Sequence, residues 1–120
     1  MKVIIAGSRT IWSIPIVEDA IKASGFEITE VVSGGARGVD EMGEAWADAR
    51  DIPYRVFPAN WYPDGKTLDR SAGPRRNAQM AGYADALIAV WDGSSRGTSN
   101  MIHEAKKRGL KVYVHKIKQG

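Results

Sequence analysis

Short apolar runs alternate along the chain with segments whose apolar residues recur at helical spacing. Five runs, the first at Val3–Ala6, have the length and composition of strands. Runs that are apolar throughout and separated by helices are typical of a parallel sheet covered on both faces. The predicted strands are residues 3–6, 28–33, 53–57, 86–91 and 110–117. The predicted helices are residues 14–24, 39–50 and 74–82, and a fourth helix is capped by Thr98 or Ser99 and ends at Gly109.

This alternation predicts an α/β fold, a small Rossmann-like, doubly wound sheet of five parallel strands in the order 3-2-1-4-5. The 120 residues match the size of one domain, and they contain no repeat and no linker-like segment. We therefore predict a single nucleotide-binding domain over residues 1–120. Such sheets bind ligands outside the carboxyl ends of their strands, where the strand order reverses, which here is between strands 1 and 4.

Composition excludes several classes of protein. The chain has no cysteine, so it has neither disulfides nor thiolate metal sites. No apolar run approaches the roughly 18 residues of a membrane span. The apolar run at residues 3–6 is too short for a signal-peptide core and is predicted to be a buried strand. A cytoplasmic protein without a membrane partner is expected.

The basic residues are unevenly distributed. The formal net charge is +3, but six of the 17 lysines and arginines lie after residue 105, where there is no acidic residue. Residues 1–105 therefore carry 11 basic and 14 acidic side chains. A uniformly basic, nucleic-acid-binding surface is not indicated, and duplex DNA is expected to bind poorly.

Three predicted strands end in loops that combine glycine, a hydroxyl and an arginine before a helix, at residues 7–10, 33–40 and 92–98. Glycine lets a ligand approach the backbone, a helix N-terminus favours an anion, and arginine matches the geometry of phosphate. Arg75 and Arg76, at the predicted start of the third helix, add two further guanidinium groups. The pattern predicts a phosphate site with room for a nucleotide. The alternative is that turns between strands and helices use Gly and Ser anyway and that the arginines are solvated.

Other side chains could contact the rest of a nucleotide. Trp91 ends the fourth strand, and Trp61-Tyr62 lies in a long loop, so either could stack on a base; packing in the core or in a lid is the alternative for both. Asp40 and Asp92 could accept hydrogen bonds from ribose hydroxyls, although Asp40 could instead cap its helix.

Three familiar motifs are incomplete. Residues 64–67 resemble the end of a P-loop, but Asn60 stands where that motif needs glycine. The second loop lacks the spacing of an NAD-binding fingerprint. His103 and His115 have no metal-ligand spacing and no nucleophile to serve. We therefore predict neither a metal nor a cofactor.

At these loops the sequence resembles a known family. Residues 6–9, 33–40, 72–77 and 97–100 resemble the single-domain YspA-type branch of the SLOG superfamily, which also contains the Smf/DNA-processing proteins and the Lonely-guy cytokinin-activating enzymes. The resemblance covers nearly the whole chain. It implies a Rossmann-like fold, binding of nucleotides or nucleotide-derived signals, and a homo-oligomer.

The resemblance to the Lonely-guy enzymes is incomplete at the residues that carry their reaction. Those enzymes cleave the N-glycosidic bond of nucleoside 5′-monophosphates. This chain keeps the arginine of their motif at Arg76 but has Asn77 in place of lysine, and it has Met101 in place of the catalytic glutamate. A carboxylate stabilises the oxocarbenium-like transition state of such hydrolysis, and methionine cannot. Asp40, Asp92 or Glu104 could substitute.

The leading hypothesis is a nucleotide-binding sensor or sequestering module. One alternative is an N-glycosidic hydrolase of nucleotides. The other is a DNA-binding protein, by analogy with the DNA-processing branch and because of the basic tail formed by the six lysines and arginines after residue 105. The residues predicted to hold a phosphate ligand are Gly7, Ser8, Arg9, Ser33, Gly34, Gly35, Arg37, Gly38, Arg76, Asn77, Gly97 and Thr98, and those predicted to reach its ribose or base are Asp40, Trp91, Asp92 and Asn100.

Overall fold

Five parallel strands and four helices alternate along the chain in the computed structural model, which describes residues 1–117. Lys118, part of the predicted basic tail, lies outside the described residues. The elements are β1 (Lys2–Gly7), α1 (Ile14–Ser24), β2 (Glu30–Ser33), α2 (Val39–Ala49), β3 (Tyr54–Val56), α3 (Ala72–Tyr83), β4 (Ala86–Trp91), α4 (Arg96–Lys107) and β5 (Lys111–Lys116). The sheet order is β3-β2-β1-β4-β5, and all neighbouring strands are parallel, which confirms the predicted fold class and topology.

Alternate residues of the central strands face opposite layers of helices. Val3 and Ile5 of β1 belong to the core under α1 and α2, whereas Ile4 and Ala6 belong to the core under α3 and α4. Residues 3–5 have no exposed surface at all. Because both faces of the sheet are covered, these strands are apolar throughout instead of alternating between apolar and polar residues.

The first helix has the ends that its sequence predicts. The Ser13 hydroxyl accepts a hydrogen bond from the Ile16 amide at 3.4 Å, and Gly25 follows the helix with a φ of 70°. A serine cap satisfies one of the free amides of the first turn, and glycine enters the left-handed region without a steric penalty.

Two predicted helix starts are wrong. Helix α3 begins at Ala72, two residues before Pro74, because the first helical amides need no partner and a proline there loses no hydrogen bond. Helix α4 begins at Arg96 and is capped by Ser95, whose hydroxyl accepts from the Thr98 amide at 3.4 Å, so neither Thr98 nor Ser99 is the cap. Arg76 consequently lies in the second turn of α3 and not in its opening turn.

The position of β1 creates an opening at the carboxyl edge of the sheet. β1 lies between β2 and β4, so the loops that follow these three strands surround one point. Gly7 ends β1 there, and a Cβ atom at Gly7 would overlap the Val90 carbonyl oxygen and lie 2.8 Å from Cγ2 of Val39. Glycine is therefore required for β1, β4 and α2 to meet this closely. Within residues 1–117, no helix has the length and apolarity that crossing a membrane requires.

Two helical glycines provide a matched test of this packing. A Cβ atom at Gly43 of α2 would lie 2.9 Å from Cγ2 of Ile5 in β1, whereas one at exposed Gly82 of α3 would meet only the end of Arg108, at 3.9 Å. Overpacking costs about 1–3 kcal/mol, whereas alanine in place of an exposed helical glycine gains roughly 0.5–1 kcal/mol. In urea denaturation, Gly43→Ala should therefore lower the free energy of unfolding and Gly82→Ala should leave it equal or raise it. Equal effects of the two substitutions would contradict this account of α2 on β1.

Candidate functional site

The carboxyl edge of the sheet holds two adjoining cavities. The first, of about 220 Å³, lies between the loop after β1 and the helices α3 and α4. The second, of about 330 Å³, lies between the loop after β2 and the loop after β3. Arg9, Ala36 and Arg76 line both, so the cavities form one cleft at the point where the strand order reverses.

Many of the predicted site residues meet in this cleft. Those that line the first cavity are Gly7, Arg9, Asp40, Arg76, Asn77, Gly97 and Thr98. Those that line the second are Arg9, Gly34, Gly35, Arg37 and Arg76. The loops after β1, β2 and β4 and the helix α3 therefore all contribute to it.

Arg76 lies between the two cavities. Its side chain is half-buried; Nη1 donates to the Gly34 carbonyl, and Nε donates to Oδ1 of Asn77 at 3.0 Å. Burial lowers the pKa of the guanidinium from its ordinary value, but an arginine stays charged at any ordinary pH. A guanidinium carries five N–H donors, and the remaining ones of Arg76 have no protein partner among residues 1–117. The side chain is thus held in place with donors free for an anion.

Asn77 joins α3 to the first turn of α4. Its side chain is buried, and Nδ2 donates to Oδ1 of Asn100 at 2.9 Å and to the Gly97 carbonyl at 3.3 Å. Asn100 lines neither cavity, and its amide oxygen is engaged with Asn77. These bonds fix α4 relative to Arg76.

Asp40 is the carboxylate of the cleft. Its side chain is 5% exposed, and Oδ2 accepts from the Ala36 amide at 3.2 Å. It does not cap its helix, because the cap of α2 is Gly38, which makes no side-chain bond. Burial raises the pKa of Asp40 to about 6, against the opposing effects of the Ala36 amide and the Arg76 charge. This carboxyl group therefore changes protonation close to neutral pH.

Two predicted serines support the loops from beneath. The Ser8 hydroxyl accepts from the Asp92 amide at 3.2 Å. The Ser33 hydroxyl donates to Oε2 of Glu44 at 2.6 Å and accepts from the Gly35 amide at 3.1 Å. Both side chains are buried and line neither cavity. Their hydroxyls shape the loops and do not face the cleft.

The predicted contacts at the end of β4 also turn away from the cleft. The Trp91 indole donates to the Ser95 carbonyl at 3.1 Å. The Asp92 carboxylate accepts from the amides of Ser94 and Ser95 at 2.8 and 2.9 Å, and these bonds lower its pKa. Both side chains hold the turn before α4, and neither lines a cavity.

Gly38 has a φ of 74°, and a Cβ atom there would lie 2.6 Å from the Ser8 carbonyl oxygen, so its role is to allow the loops to approach each other.

Several cleft residues were not predicted. Met80 lines the first cavity, as does Met101, which the resemblance to the Lonely-guy enzymes had already placed at the position of their catalytic glutamate. Val56, Pro58 and Ala59 line the second. Apolar residues that face a cavity have the same sequence pattern as core residues, so nothing in the sequence distinguishes them. Arg96 is exposed and lines neither cavity, and Glu104 also lies outside both. In the described part of the chain, no group of three or more His, Asp or Glu side chains is placed to hold a metal ion.

The raised pKa of Asp40 predicts a specific dependence of stability on pH. The folded state binds this proton more tightly than the unfolded state, so the contribution of Asp40 to stability is full below about pH 4 and is lost as the pH rises through about 6. Asp40→Asn keeps an acceptor for the Ala36 amide and carries no charge. Between pH 4 and pH 7, the unfolding free energy of the wild type should fall relative to that of the variant by about 2–3 kcal/mol. Urea denaturation of both proteins across this range measures the difference, and a constant difference would contradict the burial of a titrating carboxyl.

Comparison with known proteins agrees with this architecture. The model of the YspA, cpYpsA-related SLOG family matches residues 1–62. The chain is 35% identical over 119 residues to the Gene 61 protein of Mycobacterium phage D29, over 92% of this chain and 93% of that protein.

The fold is similar to that of a solved protein. The X-ray structure of DNA processing protein A (DprA) from Streptococcus pneumoniae superposes with a TM-score of 0.72 at 20% sequence identity. The superposition covers 94% of this chain and 49% of DprA, so the chain spans about half the length of that protein. The structural similarity shows the fold, and the sequence matches show the family. The chain belongs to the YspA, cpYpsA-related SLOG family.

Proposed function

We propose that the cleft binds a nucleotide or a nucleotide-derived phosphate ligand and that the protein acts as a sensor or a sequestering module for it. The observation that carries the proposal is the position of Arg9 and Arg76, which line both cavities at the point where the strand order reverses. Sheets of this topology bind ligands at that point, and arginine provides two parallel donors to a phosphate.

The surroundings of these arginines favour an anion. The first turn of α4 brings Gly97 and Thr98 to the first cavity, and the partial positive charge of a helix N-terminus attracts phosphate. Arg37 adds a third guanidinium at the second cavity. The cavities hold about 220 and 330 Å³, which suits a small molecule and is too small to enclose a DNA duplex. A small nucleotide therefore fits the cleft better than nucleic acid.

The floor of the first cavity favours binding over catalysis. Met80 and Met101 are buried there, and a thioether can neither donate a proton nor stabilise a developing positive charge as a carboxylate does. An N-glycosidic hydrolase is nevertheless a second candidate, because Asp40 places a carboxyl group with a pKa of about 6 in the same cavity. Release of free base from a nucleotide distinguishes the two.

A nucleotide panel tests the proposal directly. At a ligand concentration of about 100 times Kd, binding stabilises the folded state by roughly 2.7 kcal/mol, which for a domain of this size raises Tm by about 10 °C. We expect such a shift with at least one member of a panel of nucleoside monophosphates, cyclic nucleotides, dinucleotides and ADP-ribose. The panel samples are then analysed for free base, and intact nucleotide supports a binding module. A Tm that no nucleotide and no inorganic phosphate changes would contradict the proposal.

Arg76 and its neighbour Arg75 form a matched pair for mutagenesis. Arg75 is exposed, pairs with Asp69 and lines neither of the two cavities, whereas Arg76 lines both. In isothermal titration with the panel nucleotide that raises Tm most, Arg76→Ala should weaken binding about tenfold to a hundredfold. Arg76→Lys should recover only part of the loss, because an ammonium cannot form two parallel bonds. Arg75→Ala should bind within about twofold of the wild type, since an exposed ion pair contributes little.

Affinity is measured on variants first shown to be folded, because Arg76→Ala also removes the bonds to Gly34 and Asn77. Unchanged affinity in folded Arg76→Ala, or an equal loss in Arg75→Ala, would remove Arg76 from the binding site.

A further inference from the structure

The two cavities differ in the chemistry of their walls. The first is lined by the polar Asn77 and Thr98 and by the apolar Met80 and Met101, with no aromatic side chain. The second has an apolar and aromatic wall formed by Val56, Pro58 and Trp61. The base of a nucleotide is planar and largely apolar on its faces, so the cavity with the aromatic wall suits the base, and the cavity at the start of α4 suits the phosphate.

We propose that a nucleoside 5′-phosphate lies extended across the cleft, with its phosphate in the first cavity and its base in the second cavity against the indole of Trp61. The inference rests on the proposed function and names the part of that site which recognises the base. Arg9 and Arg76, which both cavities share, then lie beside the sugar and its phosphate. Base stacking on an aromatic side chain is a large and sequence-tolerant contribution to nucleotide binding.

The indole of Trp61 is held in position by the protein. Its six-membered ring packs on Gly73 of α3 so closely that a Cβ atom there would lie 2.9 Å from Cη2. The Trp61 carbonyl also accepts from the Asp69 amide at 2.6 Å, which closes the loop that carries the ring. The side chain is half-buried, and it lines the second cavity. A ring fixed in this way needs little ordering when a base stacks on it.

The other aromatic candidate is engaged elsewhere. The Trp91 indole donates to the Ser95 carbonyl and lines neither cavity. Arg37 also lines the second cavity, and a guanidinium plane also stacks on bases. The cavity thus combines an aromatic face with a planar cation.

The experiment compares probes with and without a base. Isothermal titration measures binding of the four nucleoside 5′-monophosphates and of ribose 5-phosphate to the wild type, Trp61→Ala, Trp61→Phe and Trp12→Ala. Trp12 is exposed and lines neither cavity, so its substitution is the matched control. In the wild type, the nucleotide that binds most tightly should bind at least about tenfold more tightly than ribose 5-phosphate. In Trp61→Ala this difference should close, with ribose 5-phosphate unchanged.

Trp61→Phe and the control should behave differently from Trp61→Ala. A phenyl ring still stacks, so Trp61→Phe should recover most of the lost affinity, and Trp12→Ala should match the wild type. Equal loss for nucleotide and ribose 5-phosphate, or no loss for the nucleotide, would overturn the assignment of the base to Trp61 while the phosphate site stands. If neither a nucleotide nor ribose 5-phosphate binds the wild type, the proposed function fails and this inference fails with it.

A second variant tests the position of the ring without removing it. Gly73→Ala places a methyl group against Trp61, whereas Gly82→Ala, in the same helix, meets only the end of a surface arginine. Gly73→Ala should weaken nucleotide binding about threefold or more and leave ribose 5-phosphate binding unchanged, because Gly73 acts through Trp61. Gly82→Ala should change neither. Identical nucleotide affinity in Gly73→Ala and Gly82→Ala would show that the ring position does not matter and would overturn the proposal.

Discussion

The position of β1 between β2 and β4 is the constraint on which the rest of the structure depends. After β1 the chain forms β2 and β3 on one side of this strand within the sheet, and it then crosses to form β4 and β5 on the other. The loops that follow β1 and β4 therefore diverge at the end of β1. At that point Gly7 brings the backbone of β4 and the side chain of Val39 close to β1. Any side chain at residue 7 would separate the elements that surround the cleft. The glycine that allows the sheet to pack is thus also the residue that opens the site.

Burial has opposite effects on the two charged groups inside the cleft. It raises the pKa of Asp40 to about 6 and lowers the pKa of Arg76. The arginine remains cationic, because even a lowered guanidinium pKa lies far above neutral. The carboxyl, in contrast, can take up a proton near neutral pH and then no longer repels an anion. Partial burial also strengthens the attraction between Arg76 and a phosphate, since charges interact more strongly away from bulk water. Below about pH 6, where Asp40 is largely protonated, both effects would therefore favour an anion in the cleft.

The sequence predicted the fold well because its signals are local and periodic. The apolar runs of β1 and β4 predict buried strands, and the glycine after α1 predicts the end of that helix. The start of α3 was wrong because Pro74 marks the first turn of a helix and not its first residue. The start of α4 was wrong because Ser95, Thr98 and Ser99 are all acceptable caps, and only the tertiary position of the turn selects Ser95.

The cleft was predicted at the level of loops and less well at the level of side chains. Glycine and arginine mark the cleft, and Arg9, Arg37 and Arg76 do line it. Whether a hydroxyl or a tryptophan faces the cleft depends on which hydrogen bonds it makes with other loops. Ser33 and Trp91 bond to groups of the protein, whereas Trp61 packs beside the second cavity because Gly73 leaves space for its ring. Contacts between residues far apart in the chain decide these orientations, and the sequence pattern does not contain them.

A crystal structure of the protein with a bound nucleoside 5′-monophosphate tests the central claim most directly. The account predicts that density for the phosphate lies in the first cavity, within hydrogen-bonding distance of the guanidinium of Arg76 and beside Arg9. Density for the nucleotide at the exposed basic residues near the end of the chain, with the cleft empty, would contradict it.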